Sequence, residues 1–339
     1  MKRISGITYL KAFLPLCVIA CHIKPFGDSA YSFVPLPSIP GLKDVFYSNV
    51  FSLAVPLFFI ISIFLYLMKR DRTENHLKLC IKRVCYLLGV FAIVRIIYIL
   101  FGIGNLWIPD RGLFKNSYAI LFGGGDTLLY YLELCAYLIV FTELCCVFIE
   151  KTEINKKAFS AIGLGLSLLL ICIFYFVSDP TVKTEALRFY SPICFPSYVF
   201  IAFYFKEAQE RNSLPLMISL FVSGMAFAVF EWVYLPNAVF IERGYSIAFP
   251  FYARISVVLL SMSIFGLMLK IGRSPSKFIE YLASLSLYAY CVHQIFINLI
   301  ATSIKKPFLG FLTVVALSYF ASAIIKTVLT LIKKRLASR

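Results

Sequence analysis

Charge is scarce in this 339-residue chain, and acid is scarcer than base: 15% of residues are charged, with 17 Asp and Glu against 33 Lys and Arg. Histidine occurs three times and tryptophan twice. Three histidines and no CxxC pair leave too few ligands for a protein-only zinc site, so no metal is expected. The first apolar segment has no small-x-small cleavage site and runs into Pro25 and Phe26, which reads as a retained span and not a removed leader. The "GGGD" run ending at Asp126 lacks the Lys-Ser/Thr that completes a phosphate-binding loop, and it receives no cofactor meaning. Long polar stretches and internal repeats are also missing. Residues 1–339 therefore read as one integral membrane domain.

What is present is apolar length. Sixty per cent of residues are hydrophobic and the mean hydropathy is +0.86, more apolar surface than a soluble chain of this size can hide. Runs long enough to cross about 30 Å of hydrocarbon as a helix recur throughout. They predict an all-α polytopic membrane protein with about ten transmembrane helices, at 6–24, 46–68, 79–102, 127–149, 158–178, 190–206, 213–235, 247–270, 278–301 and 308–332. Residues Gly104 to Asp126 read as a loop that partly re-enters the membrane. The basic residues fit this map. Of the 33 Lys and Arg, 20 fall on the side that carries both termini, nine in the opposite loops and four within spans. By the positive-inside rule both termini face the cytoplasm, with Lys305 and Lys306 as the outer exceptions. The formal charge of +16 is then a topology signal and not a nucleic-acid surface. The ten cysteines sit in or beside apolar segments and read as reduced thiols.

Ionisable groups inside a bilayer cost several kcal/mol unless paired or hydrated, and so mark function by default. Here they are Lys11, His22, Arg95, Glu133, Glu143, Glu231, Arg254, His293 and Lys326. Lys11 and His22 are eleven residues apart, which at 100° per residue puts them on one helix face about 16 Å apart along the axis. Pro15 leaves the Lys11 carbonyl without its helical donor, to be satisfied within the bundle. Glu133 and Glu143 share a face of the fourth span. Glu231 and Arg254 suit a neutralising pair as well as a catalytic role. His293 alone reads as a hydrogen-bonded core histidine, and Arg95 and Lys326 as packing or pairing residues. Cys21 and Cys291 each lie close to a histidine in sequence, but side chains one or two positions apart on a helix point about 100° or 200° apart, so a Cys–His catalytic couple would need a partner from another element.

Taken in order, four landmarks resemble the acyltransferase-3 family of integral membrane acyltransferases. "YLKAFLPLCVIACH" is similar to the family's first span, a basic residue followed eleven positions later by histidine. "SLAVPLFFIISIFLYLMKR" resembles its second span, and "HLKLCIKRVCYLL" the basic entry to its third. "FIEYLASLSLYAYCVHQIFI" resembles the late span that ends in a "SYGIYLIH"-like segment, and "LLYYL" its "LWFL". Departures are Lys11 for a common arginine, Cys80 for the first arginine of "RxxR", Ile63 for a glycine, and no tryptophan in "LLYYL".

The resemblance implies transfer of an acyl group, most often acetyl, from cytoplasmic acyl-CoA to a hydroxyl of a lipid-linked saccharide or exported glycan. The membrane expected is a bacterial cytoplasmic (inner) membrane. No tightly bound cofactor is expected; acetyl-CoA or another acyl-CoA is a donor substrate. Lys78, Lys82 and Arg83 would hold its phosphates and Lys11 would line the path inward. His22 would act as general base, oriented by Glu133. Tyr130, Tyr131, Arg254 and His293 are expected to contact the acceptor. Partners are thus acyl-CoA, the saccharide and membrane lipids, with no nucleic acid. Two other classes compete: a transporter or flippase of a lipid-linked sugar or small solute, and a non-catalytic receptor or scaffold. Buried charge suits the first, although paired broken helices are not evident. The second leaves the Lys11–His22 alignment unexplained.

Overall fold

A helix stands in each of the ten apolar stretches. The computed structural model describes residues 4–26, 49–103, 127–176, 191–208, 213–234, 239–242, 245–248, 254–301 and 304–337, with the single positions 117, 121 and 252. The helices are α1 (Ser5–Ile23), α2 (Ala54–Arg70), α3 (His76–Leu100), α4 (Tyr130–Thr152) and α5 (Lys156–Phe176). They continue with α6 (Pro196–Glu207), α7 (Leu214–Tyr234), α8 (Ile255–Leu269), α9 (Lys277–Phe296) and α10 (Pro307–Ala337). Among the described residues, eight helices are long and apolar enough to cross a membrane. The expected re-entrant loop lies almost wholly outside the described residues.

Two stretches differ from expectation in length. The sixth, expected over 190–206, starts only at Pro196, because Pro192 and Pro196 break it and Pro196 suits the first helical position. The eighth, expected over 247–270, starts at Ile255. Its first residues belong to a short antiparallel hairpin pairing Val239–Glu242 with Tyr245–Ala248. Apart from that hairpin the described fold is all-α.

Helix α2 is the axis of the bundle. It is apolar along most of its length, packs against α1, α4, α6 and α8, and buries most of its residues, as a helix without a continuous polar face must. α1 lies between α2, α8, α9 and α10. The outer helices instead present large apolar side chains outward: Ile93, Ile96 and Leu100 on α3, Leu166 and Leu169 on α5, Val222 and Val229 on α7, Phe320 and Ile324 on α10. In water such a surface would be a broad aggregation site, whereas against hydrocarbon it carries no penalty.

Close approach of α1 and α8 depends on a glycine. A Cβ on Gly6 would sit 1.7 Å from the Met268 carbonyl oxygen, a backbone atom that cannot swing aside. Gly6→Ala is expected to force these helices apart at a cost of about 1–3 kcal/mol. The readout is a several-fold lower yield of folded, monodisperse protein in detergent. A wild-type elution profile and melting temperature would count against this packing.

One end of the bundle is locked by charge. Arg70, at the end of α2, donates to Glu143 (2.9 Å) and Glu150 (2.6 Å) of α4, and Tyr66 donates to Glu143 at 2.5 Å. Lys206 at the end of α6 pairs with Asp71 (2.9 Å) in the turn after α2. Lys326 of α10 reaches the Ser284 hydroxyl of α9, and Tyr319 of α10 donates to the Ala12 carbonyl of α1 (2.9 Å). The Ala12 carbonyl is one residue past that of Lys11, which Pro15 leaves without a helical donor. Arg95 reaches the Ile103 carbonyl at 3.5 Å, which fits its expected packing role.

Candidate active site

The local sequence fixes His22 at the last turn of α1. Lys24 takes a left-handed conformation (φ 52°) and caps the helix by donating to the Ala20 carbonyl, and Pro25 cannot extend it. On α9, Tyr290, His293 and Gln294 follow the i, i+3, i+4 spacing that puts side chains on one face. Tyr290 donates to the Leu128 carbonyl, and Gln294 accepts from the Leu128 amide at 3.2 Å. That double clasp on the residues leading into α4 sets the register of α9 and places the Tyr290 and His293 rings.

The two histidines meet. The His22 and His293 ring centres are 5.8 Å apart, tilted by 32°. His293 is fully buried and its Nδ1 lies 2.6 Å from the Tyr290 carbonyl oxygen, whereas His22 is exposed. The contacts continue away from the pair: Tyr290 packs on His293 with ring centres 5.6 Å apart, and Tyr131 meets Tyr290 edge-on at 5.2 Å. The Tyr131 hydroxyl bonds to Ser62 of α2 (2.8 Å) and donates to the Phe58 carbonyl (3.3 Å), which holds its ring still.

At the Tyr131 end of this chain of rings lies a cavity of about 250 Å³ between α1, α2, α3, α4 and α9. Lys11 and Arg83 supply its cations, and serine and tyrosine hydroxyls, among them Ser62, Ser284, Tyr131 and Tyr290, line the rest of its polar wall. Lys11 and Ser284 line it while His22 and His293 meet further along the same two helices, so α1 and α9 run parallel. The eleven-residue spacing read from α1 is therefore the distance from the cavity to the histidine pair.

The other expected site residues are distributed as follows. Lys78 and Lys82 are exposed and do not line the cavity, although Arg83 beside them does. Glu133 is buried on α4 but makes no hydrogen bond to His22, whose ring neighbour is His293. Glu143 serves the Arg70 lock. The Tyr130 hydroxyl meets that of Tyr252 at 2.8 Å, with Tyr198 donating to the Tyr252 carbonyl at 3.1 Å. Arg254, fully buried, stands at the start of α8 two residues on. Ser256, which follows, donates its amide (3.0 Å) and its hydroxyl to Glu231. The four residues expected to touch acceptor thus fall in three places: Tyr131 at the cavity, His293 at the pair, Tyr130 and Arg254 at the entry to α8. Sequence reasoning missed Tyr290, which joins cavity and pair. Its i, i+3 spacing to His293 was the available signal. Among the described residues no three His, Cys, Asp or Glu side chains gather as metal ligands, and all ten cysteines are free.

A difference between neighbouring cations follows from this geometry. Arg83→Ala is expected to weaken binding of an anionic ligand in the cavity by about tenfold or more, since a charge-assisted hydrogen bond contributes roughly 1.5–3 kcal/mol. Lys82→Ala should change it less than about threefold, as an exposed charge acting through solvent. Equal loss of affinity for a phosphorylated ligand in the two variants, measured by calorimetric titration, would remove Arg83 from the cavity's binding groups.

The acyltransferase-3 family model, described as an acyltransferase domain, matches residues 4–331. The chain belongs to that family, and the helices around its site make it a membrane acyltransferase. No curated protein and no solved structure matches it.

Proposed function

We propose that this enzyme moves an acyl group, most simply acetyl, from cytoplasmic acyl-CoA to a hydroxyl of a lipid-linked or exported glycan, with His22 as general base. The observation that carries the reading is the continuous path of rings, Tyr131, Tyr290, His293 and His22, that joins a cation-lined cavity to an accessible imidazole. Lys11 and Arg83 suit the anionic part of the donor, and the aromatic walls suit its uncharged arm and thioester. An acceptor hydroxyl reaching His22 would give up its proton as it attacks the thioester carbon. The C–S bond then breaks, an ester C–O bond forms, and the proton passes on to the departing thiolate. This reading places both termini in the cytoplasm, so that the donor enters from the basic end and the acceptor from the other.

The test is acyl-CoA-dependent labelling of saccharide in membranes that contain the chain, with mass spectrometry of surface glycans from cells with and without it. Label transfer that needs the chain, with a matching acyl mass gain, is the expected result. Movement of unmodified saccharide without acyl transfer would replace it with the transporter reading.

A further inference from the structure

We propose that His293 is a positioning residue for the transfer reaction. In this inference the His293 Nε2 accepts a hydrogen bond from the His22 ring and holds it in the tautomer that can take a proton from the acceptor. The inference rests on the reading of His22 as base.

Three observations carry it. The Tyr290 carbonyl can only accept, so the His293 nitrogen 2.6 Å from it, Nδ1, must bear hydrogen. A neutral His293 then presents Nε2 as a bare acceptor. That atom is fully buried and has no hydrogen-bond partner among the described residues, an arrangement that costs free energy unless a donor reaches it in use. The ring beside it is His22, with centres 5.8 Å apart. Catalytic hydrogen bonds are often long in free enzymes and tighten when substrate is bound.

Accessibility divides the roles. His22 is exposed and can meet an acceptor; His293 is wholly enclosed and cannot. The His22 nitrogen facing His293 therefore carries the hydrogen, and the other nitrogen keeps its lone pair for the acceptor. When His22 takes the hydroxyl proton, the resulting imidazolium donates a stronger hydrogen bond to Nε2. The proton then leaves for the thiolate, and the pair returns to its starting state. His293 does for this base what a buried carboxylate does in a Ser-His-Asp arrangement, without adding a negative charge to the membrane interior.

The experiment compares His22→Ala, His293→Phe and His293→Gln in one acyl-transfer assay, at equal folded protein. Phenylalanine keeps a flat ring and removes the acceptor; glutamine keeps an acceptor where Nε2 stands. The expected result is a fall in kcat of at least about tenfold for His293→Phe, part of the 10²–10⁴ that a general base supplies. Donor KM should stay within about twofold, and His293→Gln should recover most of the lost rate. Should the phenylalanine chain not fold, His293→Leu makes the same comparison. A wild-type kcat in the variant without acceptor, or equal loss in the variants with and without it, overturns the pairing. The base reading fails separately, if His22→Ala keeps the wild-type rate.

Discussion

His22→Ala is expected to lower kcat for acyl transfer by about 10²–10⁴, the contribution of a positioned general base, while donor KM changes little. In the proposed reading the donor's anionic part lies in the cavity on the other side of the Tyr131–Tyr290 contact, against Lys11 and Arg83, which the substitution does not touch. His22 is also exposed at the end of its helix, so its removal opens no cavity in the core and should spare the fold. The check is steady-state transfer by purified enzyme at varied acyl-CoA, with melting temperature as a control. A residual rate within tenfold of wild type would mean that another group takes the acceptor proton.

The second large effect is on stability. Arg70→Ala is expected to destabilise the folded chain by about 3–5 kcal/mol, because it strands the Glu143 carboxylate away from water. Arg70 and Glu143 are both largely shielded, with side-chain exposures of 6% and 11%. Glu150, at 51%, is open to solvent and contributes less. The penalty belongs to the orphaned charge and not to the lost attraction, so Arg70→Met with Glu143→Leu should regain most of it. Thermal unfolding in detergent measures both. A single variant as stable as wild type would show that Glu143 reaches solvent or another cation.

Much of the architecture was legible because its signal is long. Ten apolar stretches became ten helices, and the phase of Lys11 against His22 needed only 100° per residue to be read. The stretches at 190–206 and 247–270 were read as full spans because hydropathy responds to composition, while Pro192 and Pro196 act on backbone geometry. Nothing local sets Arg70 apart from the other cations of the stretch from Lys69 to Arg83. Only the meeting of α2 with α4 buries it, and no local pattern encodes that contact. His293 was singled out as a buried titratable ring, but its nearness to His22 joins positions 271 residues apart and depends on how α1 packs on α9. The basic run at Lys78, Lys82 and Arg83 illustrates the same gap. Sequence treats the three alike, whereas helical phase turns one towards the cavity and leaves two outside it.

Helix α6 has a consequence for how the protein is made. At 12 residues it measures about 18 Å, well short of the hydrocarbon thickness, so lipid alone cannot hold it. Its buried faces rest on α2 and α5, with Gly163 leaving room for Phe200. Its place in the membrane therefore depends on its neighbours: α2 and α5 both precede α6 in the chain, and α6 is expected to insert against them rather than as an independent span. Damage to α5 would then surface as a failure of biogenesis, with α6 left outside the bilayer.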